Sequence, residues 1–202
     1  MKLKELLIGF EVMQTVGNTE IEVTGIQADS RLIKEGNIFV AQTGTTVDGH
    51  EFIVQCISKG ATVIVLDKPT FMPTEGNGVT YVLVHNSDEA LGKMAHLWYG
   101  EPSKHLQLVG VTGTNGKTTT ATLLYRLFKT MGEKVGLLST VINYVNDEAI
   151  ASTHTTPDAL SLNALLAQMV AAGYLPQTRR GLTLLSQLCR DPAVGVRNAE
   201  EA

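Results

Sequence analysis

The segment Gly113-Thr114-Asn115-Gly116-Lys117-Thr118-Thr119 gathers two glycines, a lysine and a run of hydroxyl side chains into one short stretch. Glycines let a backbone wrap closely around a phosphate, loop amides and a helix N-terminus aim positive dipole at it, and Lys117 adds a full charge. A loop of this kind holds the β- and γ-phosphates of ATP, with Thr118 placed to put its hydroxyl on Mg²⁺. The common form of the motif asks for glycine where this chain has Val111, so the strict pattern fails by one residue. Nucleotide binding alone specifies no reaction.

Other clusters carry less on their own. Asp29-Ser30-Arg31 reads as a turn with a surface ion pair, and Asp48-Gly49 as an ordinary tight-turn dipeptide. Thr155-Thr156-Pro157-Asp158 reads as a helix N-terminus. His85, His96 and His105 are expected to be structural or solvated, whereas His50 and His154 stand beside more suggestive neighbours. Cys56 and Cys189 lie far apart and match no metal-ligand spacing, which suits two free thiols in a reducing cytoplasm.

The elements needed to position these residues are legible as alternating short strands and helices. Glu20 to Ile26, Asn37 to Ala41, Thr62 to Leu66 and Thr80 to Val84 read as strands, and Phe52 to Ser58 as a helix stopped at Gly60. Ser87 is the expected N-cap of a helix carrying Leu91, Met94, Ala95 and Trp98, ended by Gly100 and Pro102. A domain boundary is expected at 101 to 105. Beyond it, Leu106 to Val111 reads as a buried strand leading through the glycine loop into a helix, Thr118 to Met131. That helix is expected to put Leu123, Leu124, Leu127 and Phe128 on one face. Val135 to Leu138 and Val141 to Tyr144 follow as strands, and Leu160 to Ala172 as a helix behind Pro157-Asp158.

Composition bounds the function. The chain has 202 residues, 44% apolar and 18% charged, enough for one or two ordinary cores and too hydrophobic for a disordered segment. A formal charge of -4 gives no basic field to hold a nucleic acid or an anionic membrane. Runs such as Val63-Ile64-Val65-Leu66 fall far short of the roughly 20 residues needed to cross a bilayer, so no membrane span or secretory signal is expected. Residues 1 to 173 contain ten Lys and two Arg, whereas residues 174 to 202 contain four Arg and no Lys. That break leaves two readings of the tail, a solvated charged end or a segment that is not the native continuation of the domain.

Gly110-Val-Thr-Gly-Thr-Asn-Gly-Lys-Thr-Thr119 resembles the ATP loop of the Mur ligase family, which uses a shorter glycine pattern, so that Val111 is no departure from it. Asp29-Ser30-Arg31, Gly36-Asn-Ile-Phe-Val-Ala41, Gly44, Asp48-Gly49-His50 and Gly60-Ala61 look like the uridine-nucleotide domain of the third and fourth enzymes of that family's pathway. The Gly-Thr-Asn-Gly loop and His154-Thr155-Thr156-Pro157-Asp158 favour the third. The resemblance covers roughly residues 1 to 173.

It implies an α/β fold: a small uridine-nucleotide-binding α/β domain at 1–102, then an incomplete P-loop-type parallel-sheet ATP-binding domain at 103–173, then a divergent tail at 174–202. The implied reaction is amide-bond formation in peptidoglycan synthesis, using ATP and Mg²⁺ in the cytoplasm. ATP phosphorylates the terminal carboxylate of a UDP-N-acetylmuramoyl dipeptide, and the amine of a diamino acid displaces phosphate from the acyl phosphate. Ala28 and Ser30 fall where the family contacts the uridine nucleotide, and Thr45, Thr46 and Val47 fall on a second such segment. Thr155 and Thr156 match the Thr-Thr pair that meets the muramoyl peptide, and His154 stands where a close relative has Asn. Gly113, Thr114, Asn115, Gly116, Lys117, Thr118 and Thr119 would hold ATP, with Lys117 and Thr118 acting on the transferring phosphoryl group.

The family also places a Mg²⁺-binding Glu and a Ser-Ser-His segment on the strand after the last helix, and further on a carbamylated lysine, the diamino-acid site and a closing third domain. Tyr174-Leu-Pro-Gln-Thr-Arg-Arg180 carries neither the Glu nor a strand pattern. Two or three strands are therefore expected in the second domain, and a chain that binds nucleotide without turnover. Alternatives are a non-catalytic nucleotide-binding remnant, the family's D-alanyl-D-alanine-adding ligase, or a folylpolyglutamate synthetase.

Overall fold

Asn37-Ile-Phe-Val40 and Val63-Ile-Val-Leu66 have no polar alternation among their apolar residues, the pattern of strands covered on both faces. In the computed structural model both runs are fully buried strands. The structure describes residues 1–44, 47–139, 142–145, 148–151, 158–173 and 181–185. Thr45, Thr46, His154, Thr155 and Thr156 lie outside them. The chain divides into two compact units, Met1–Trp98 and Tyr99–Ala202, each with its own sheet.

In the first unit, α1 (Leu3–Leu6) precedes β1 (Val12–Val16), β2 (Gly25–Gln27), β3 (Asn37–Val40), α2 (Ile53–Ser58), β4 (Val63–Leu66), β5 (Thr80–Val84) and α3 (Ser87–Trp98). The sheet order is β1-β5-β4-β3-β2, with β2 to β5 parallel and β1 antiparallel on the edge. Phe39, Ile64, Leu66 and Leu83 pack with Ile53 and Cys56 of α2. Their alternates Ile38, Val40, Val63, Val65, Val82 and Val84 are equally buried, so both faces are covered. The expected strand at Glu20 to Ile26 shrinks to Gly25–Gln27, preceded by a lone bridge between Lys2 and Glu22. β1, whose burial does not alternate, was not legible in the sequence.

The cap of α3 is Asn86 rather than Ser87: its Oδ1 accepts a hydrogen bond from the Glu89 N–H at 2.9 Å, while the Ser87 hydroxyl turns away to donate to Asp67 Oδ2 at 2.8 Å.

The second unit runs β6 (Gln107–Gly110), α4 (Lys117–Thr130), β7 (Lys134–Leu138), β8 (Ile142–Val145), β9 (Glu148–Ala151), α5 (Ala159–Ala171) and β10 (Gly181–Leu185). The order is β6-β10-β7-β8-β9, parallel through the first three and antiparallel through the β8–β9 hairpin. Five strands thus replace the expected two or three. The added central one comes from the tail, at Gly181-Leu-Thr-Leu-Leu185, just past the segment in which Pro176 argued against a strand. An apolar run in that position satisfies the ladders of two neighbours at once.

Helices cover both faces of this sheet. On one, Ala121, Leu124, Tyr125 and Phe128 of α4 pack against Val109, Val135 and Leu137; on the other, Leu162, Leu166 and Met169 of α5 pack against Leu108 and Leu138. Of the expected stripe, Leu124 and Phe128 pack inward with Ala121 and Tyr125, whereas Leu123 and Leu127 are 60% and 53% exposed. Ala121, Leu124, Tyr125 and Phe128 follow the three-four spacing of a single helix face, and Leu123 and Leu127 sit on the next face round. Asp158 caps α5, its Oδ1 accepting from the Ser161 N–H at 2.8 Å, which agrees with a helix N-terminus at that point.

Candidate functional site

The glycine loop begins where β6 ends and closes into the first turn of α4. Gly113 and Gly116 have φ of +146° and +78°, backbone conformations that a side chain would strain. Gly116 is the N-cap of α4, its carbonyl oxygen accepting the Thr120 N–H at 2.8 Å. Positions 113 to 116 and Thr119 are exposed, while Lys117 and Thr118 are half-buried in the first helical turn. Lys117 Nζ folds back to donate to the Gly113 carbonyl oxygen at 2.5 Å and to that of Thr114 at 3.4 Å. Strand end, left-handed glycines, helix N-terminus and a lysine over the loop form a cradle with the chemistry to bind a polyphosphate. Thr118 is the second residue of α4 and half-buried beside the loop, and a hydroxyl-bearing residue at this position fits a phosphate-bound divalent cation, with most of its ligands coming from phosphate and water. Among the described residues no group of three or more His, Cys, Asp or Glu side chains could hold a metal by itself.

In the first unit the described contact candidates, Ala28, Ser30 and Val47, lie on segments at one edge of the sheet. β2, β3, β4 and β5 are parallel, so the segments leaving their carboxyl ends, 28–31, 41–50, 67–68 and 85–87, share one end of the sheet, the usual ligand crevice of an open α/β sheet. Ala28 and Ser30 are half-buried there. Between them Asp29 takes a two-oxygen grip on the Arg31 guanidinium, with Nε at 2.9 and 3.1 Å and Nη2 at 2.7 Å. The Arg31 side chain, then its backbone N–H, holds the Asp29 carboxyl down to about 2. Lys59 Nζ donates to the Ser30 carbonyl oxygen at 2.7 Å, tying this turn to the end of α2.

After β3 the described flanks of the next segment pair with each other: Thr43 bridges Asp48, the Gly44 N–H donates to the Val47 carbonyl oxygen at 3.1 Å, and the Gly49 N–H to that of Gln42 at 2.8 Å. Val47 is exposed. Asp48 is held from two sides: its Oδ1 lies 2.6 Å from Nδ1 of His50, and its Oδ2 accepts from Lys68 Nζ at 2.5 Å. The Lys68 hydrogen bond, then those of the His50 ring and backbone, keeps its carboxyl well below the usual carboxylate range. His50 has a fully buried side chain whose Nε2 lies 3.2 Å from Asp67 Oδ1. Sequence reasoning singled out His50 only by its neighbours and missed Asp67 and Lys68, whose one signal was their place directly after a buried strand run.

Comparison with known proteins matches both units. The signature described as "Mur ligase family, catalytic domain" matches residues 22–99, and that described as "Mur ligase middle domain" matches residues 111–175. A protein of Bacteroides fragilis named UDP-N-acetylmuramoyl-L-alanyl-D-glutamate--2,6-diaminopimelate ligase is 51% identical over 174 residues, 86% of this chain and 35% of that protein. A solved structure bearing the same enzyme name superposes with a TM-score of 0.66 at 20% identity over 93% of this chain and 36% of that one, a likeness of fold. A MurF ligase from Thermotoga maritima, solved in complex with ADP, gives a TM-score of 0.50 at 25% identity over 85% of this chain and 34% of that one. The chain thus spans about a third of the length of the relatives it matches. No helix among the described residues is long and apolar enough to cross a membrane. With one family signature on each of its units, the chain belongs to the Mur ligase family.

Proposed function

We propose that this chain is the nucleotide-handling part of an ATP-dependent amide ligase that joins a diamino acid to UDP-N-acetylmuramoyl-L-alanyl-D-glutamate in peptidoglycan synthesis. The observation that carries the reading is the β6–loop–α4 unit, with Gly113 and Gly116 in left-handed conformations and Lys117 folded over the loop. The name shared by relatives of up to 51% identity supports the substrate class and favours 2,6-diaminopimelate as the amine. The reading places the reaction in the cytoplasm, where ATP is available.

Within it, residues 1–102 hold the uridine nucleotide through Ala28, Ser30, Thr45, Thr46 and Val47, and 103–173 hold ATP, with the tail at 174–202 lending the strand Gly181–Leu185. His154, Thr155 and Thr156 meet the muramoyl peptide. The amides of 113–119 cradle the β- and γ-phosphates, and Lys117 leaves the loop carbonyls to lie against them as charge moves toward the leaving oxygen. Bound Mg²⁺ would offset phosphate charge, held by Thr118. The 202 residues are proposed to bind both nucleotides without completing the amide bond, because 174–202 contains no Ser-Ser-His segment of the kind the family uses.

Calorimetry of the 202-residue chain with ATP and magnesium tests the cradle. Saturable heat is expected, with the affinity sharply reduced in Lys117→Ala, and no heat from folded wild-type protein would remove the basis of the proposal. An ADP-release assay with the muramoyl dipeptide and diaminopimelate separates a binding unit from a complete enzyme, since steady turnover would refute the claim that this chain does not finish the reaction.

A further inference from the structure

The His50 ring is fully buried against Phe71, with ring centroids 5.3 Å apart, yet neither of its nitrogens faces an apolar group. Nδ1 lies 2.6 Å from Asp48 Oδ1, and Nε2 lies 3.2 Å from Asp67 Oδ1, at the end of β4. The second approach is off-line, so that Nε2 makes no well-formed hydrogen bond. Burying a polar ring in this condition is costly where an apolar side chain would pack at no such cost, so stability alone does not account for a histidine here. What the ring does is connect. Asp67 continues the chain by accepting the N–H and hydroxyl of Ser87 at 3.2 and 2.8 Å, Asp48 continues it to Lys68, and Gln42 hydrogen-bonds Asp88 of α3. Among the described residues of this segment, the Gly44 N–H bonds the Val47 carbonyl oxygen and the Gly49 N–H that of Gln42, while Thr43, Gly44 and Val47 are exposed.

We propose that His50 is a positioning residue, a strut that holds Asp48, and with it Thr43, Gly44 and Val47, against the carboxyl ends of β4 and β5, so that this segment is preorganised for a uridine nucleotide. This rests on the reading that the segment contacts that nucleotide. A preorganised segment gives affinity by avoiding the entropy of ordering on binding, and a loosened one loses it with no contact removed.

The test is titration of the 202-residue chain with UDP, with ATP binding in the second unit and thermal unfolding as controls. His50→Ala is expected to weaken UDP binding at least tenfold and to leave ATP binding unchanged. His50→Asn, which keeps a polar group beside Asp48, is expected to recover part of the loss, a rescue that a space-filling role would not give. The His50 ring ¹⁵N resonances are expected to shift on adding UDP. A folded His50→Ala protein that binds UDP within twofold of wild type overturns the proposal. Should that variant fail to fold, Asp67→Ala removes the half-buried carboxylate that Nε2 faces, and unchanged UDP affinity there overturns it equally. If the wild-type chain binds ATP but no UDP, the uridine reading itself has failed and the strut has nothing to position. If wild type binds UDP and both variants match it, the uridine reading stands and only the strut falls.

Discussion

Lys117 Nζ donates to the carbonyl oxygen of Gly113 at 2.5 Å, so the loop's own backbone holds the cation that would otherwise meet a phosphate. The exchange between carbonyl and phosphate is local, and the half-buried side chain anchors no core. Lys117→Ala should therefore leave unfolding within about 0.5 kcal/mol of wild type. It should also remove a charge-assisted contact of ~1.5–3 kcal/mol, roughly 10- to 150-fold in ATP affinity, as calorimetry in magnesium buffer would show.

Met169 of α5 is fully buried over Gly136 of β7, so close that a Cβ at 136 would lie 2.6 Å from Met169 Cε. Met169→Ala leaves a cavity in the α5 face and is expected to cost ~2–5 kcal/mol. Gly136→Ala forces the flexible methionine end to move and should cost less, about 1–3 kcal/mol. Hydrogen exchange of the β7 amides under mild denaturant would rank the two, and equal protection in both variants would contradict the packing described.

β10 pairs with β6 and β7 at once, Thr183 lying opposite both Leu108 and Gly136. Removing residues 174–202 strips the hydrogen-bond partners from the facing edges of β6 and β7, and β6 leads into the glycine loop. The truncated chain is expected to lose ATP binding and to be cleaved rapidly in 103–173 by a nonspecific protease, while 1–98 resists. Undiminished ATP affinity in the truncated protein would show that β10 contributes nothing to the cradle.

Asp29 and Asp48 both have carboxyls held below their ordinary range, Asp29 at about 2 through Arg31, and Asp48 through Lys68 and then His50. Folding depresses these values, so the unfolded chain binds more protons in acid. The contribution is complete above the ordinary carboxylate pKa of about 4 and is lost as pH falls toward the folded values. Trp98, the single tryptophan, lies in the first unit and reports its unfolding. Its urea midpoint is expected to fall as pH drops from about 5 to about 2, with a shallower fall in Asp29→Asn and in Asp48→Asn. A midpoint independent of pH over that window would mean that neither pair stabilises the fold.

Elements with a strong local signal were legible in the sequence. The buried runs at 37–40 and 63–66, the helix spanning 87–98 and the strand–loop–helix around Lys117 depend on nearby residue types, apolar continuity, caps and glycines, which act over one or two turns of chain. The family resemblance drew on those same residues. What neighbours in the sheet decide was not legible. β1 is a half-exposed edge strand whose pattern does not alternate, and β10 is a short run that becomes central only because β6 and β7 leave a gap of one strand between them. Which stripe of α4 is buried also waited on the sheet, since both stripes carry apolar residues and only packing against Val135 and Leu137 selects Ala121, Leu124, Tyr125 and Phe128. The sequence by itself determined that a phosphate loop joins a strand to a helix, because that motif is written in consecutive residues. Only the tertiary structure decided that Asp48, His50, Asp67 and Ser87 form one connected chain, because parallel strands bring their carboxyl ends together from positions far apart in sequence.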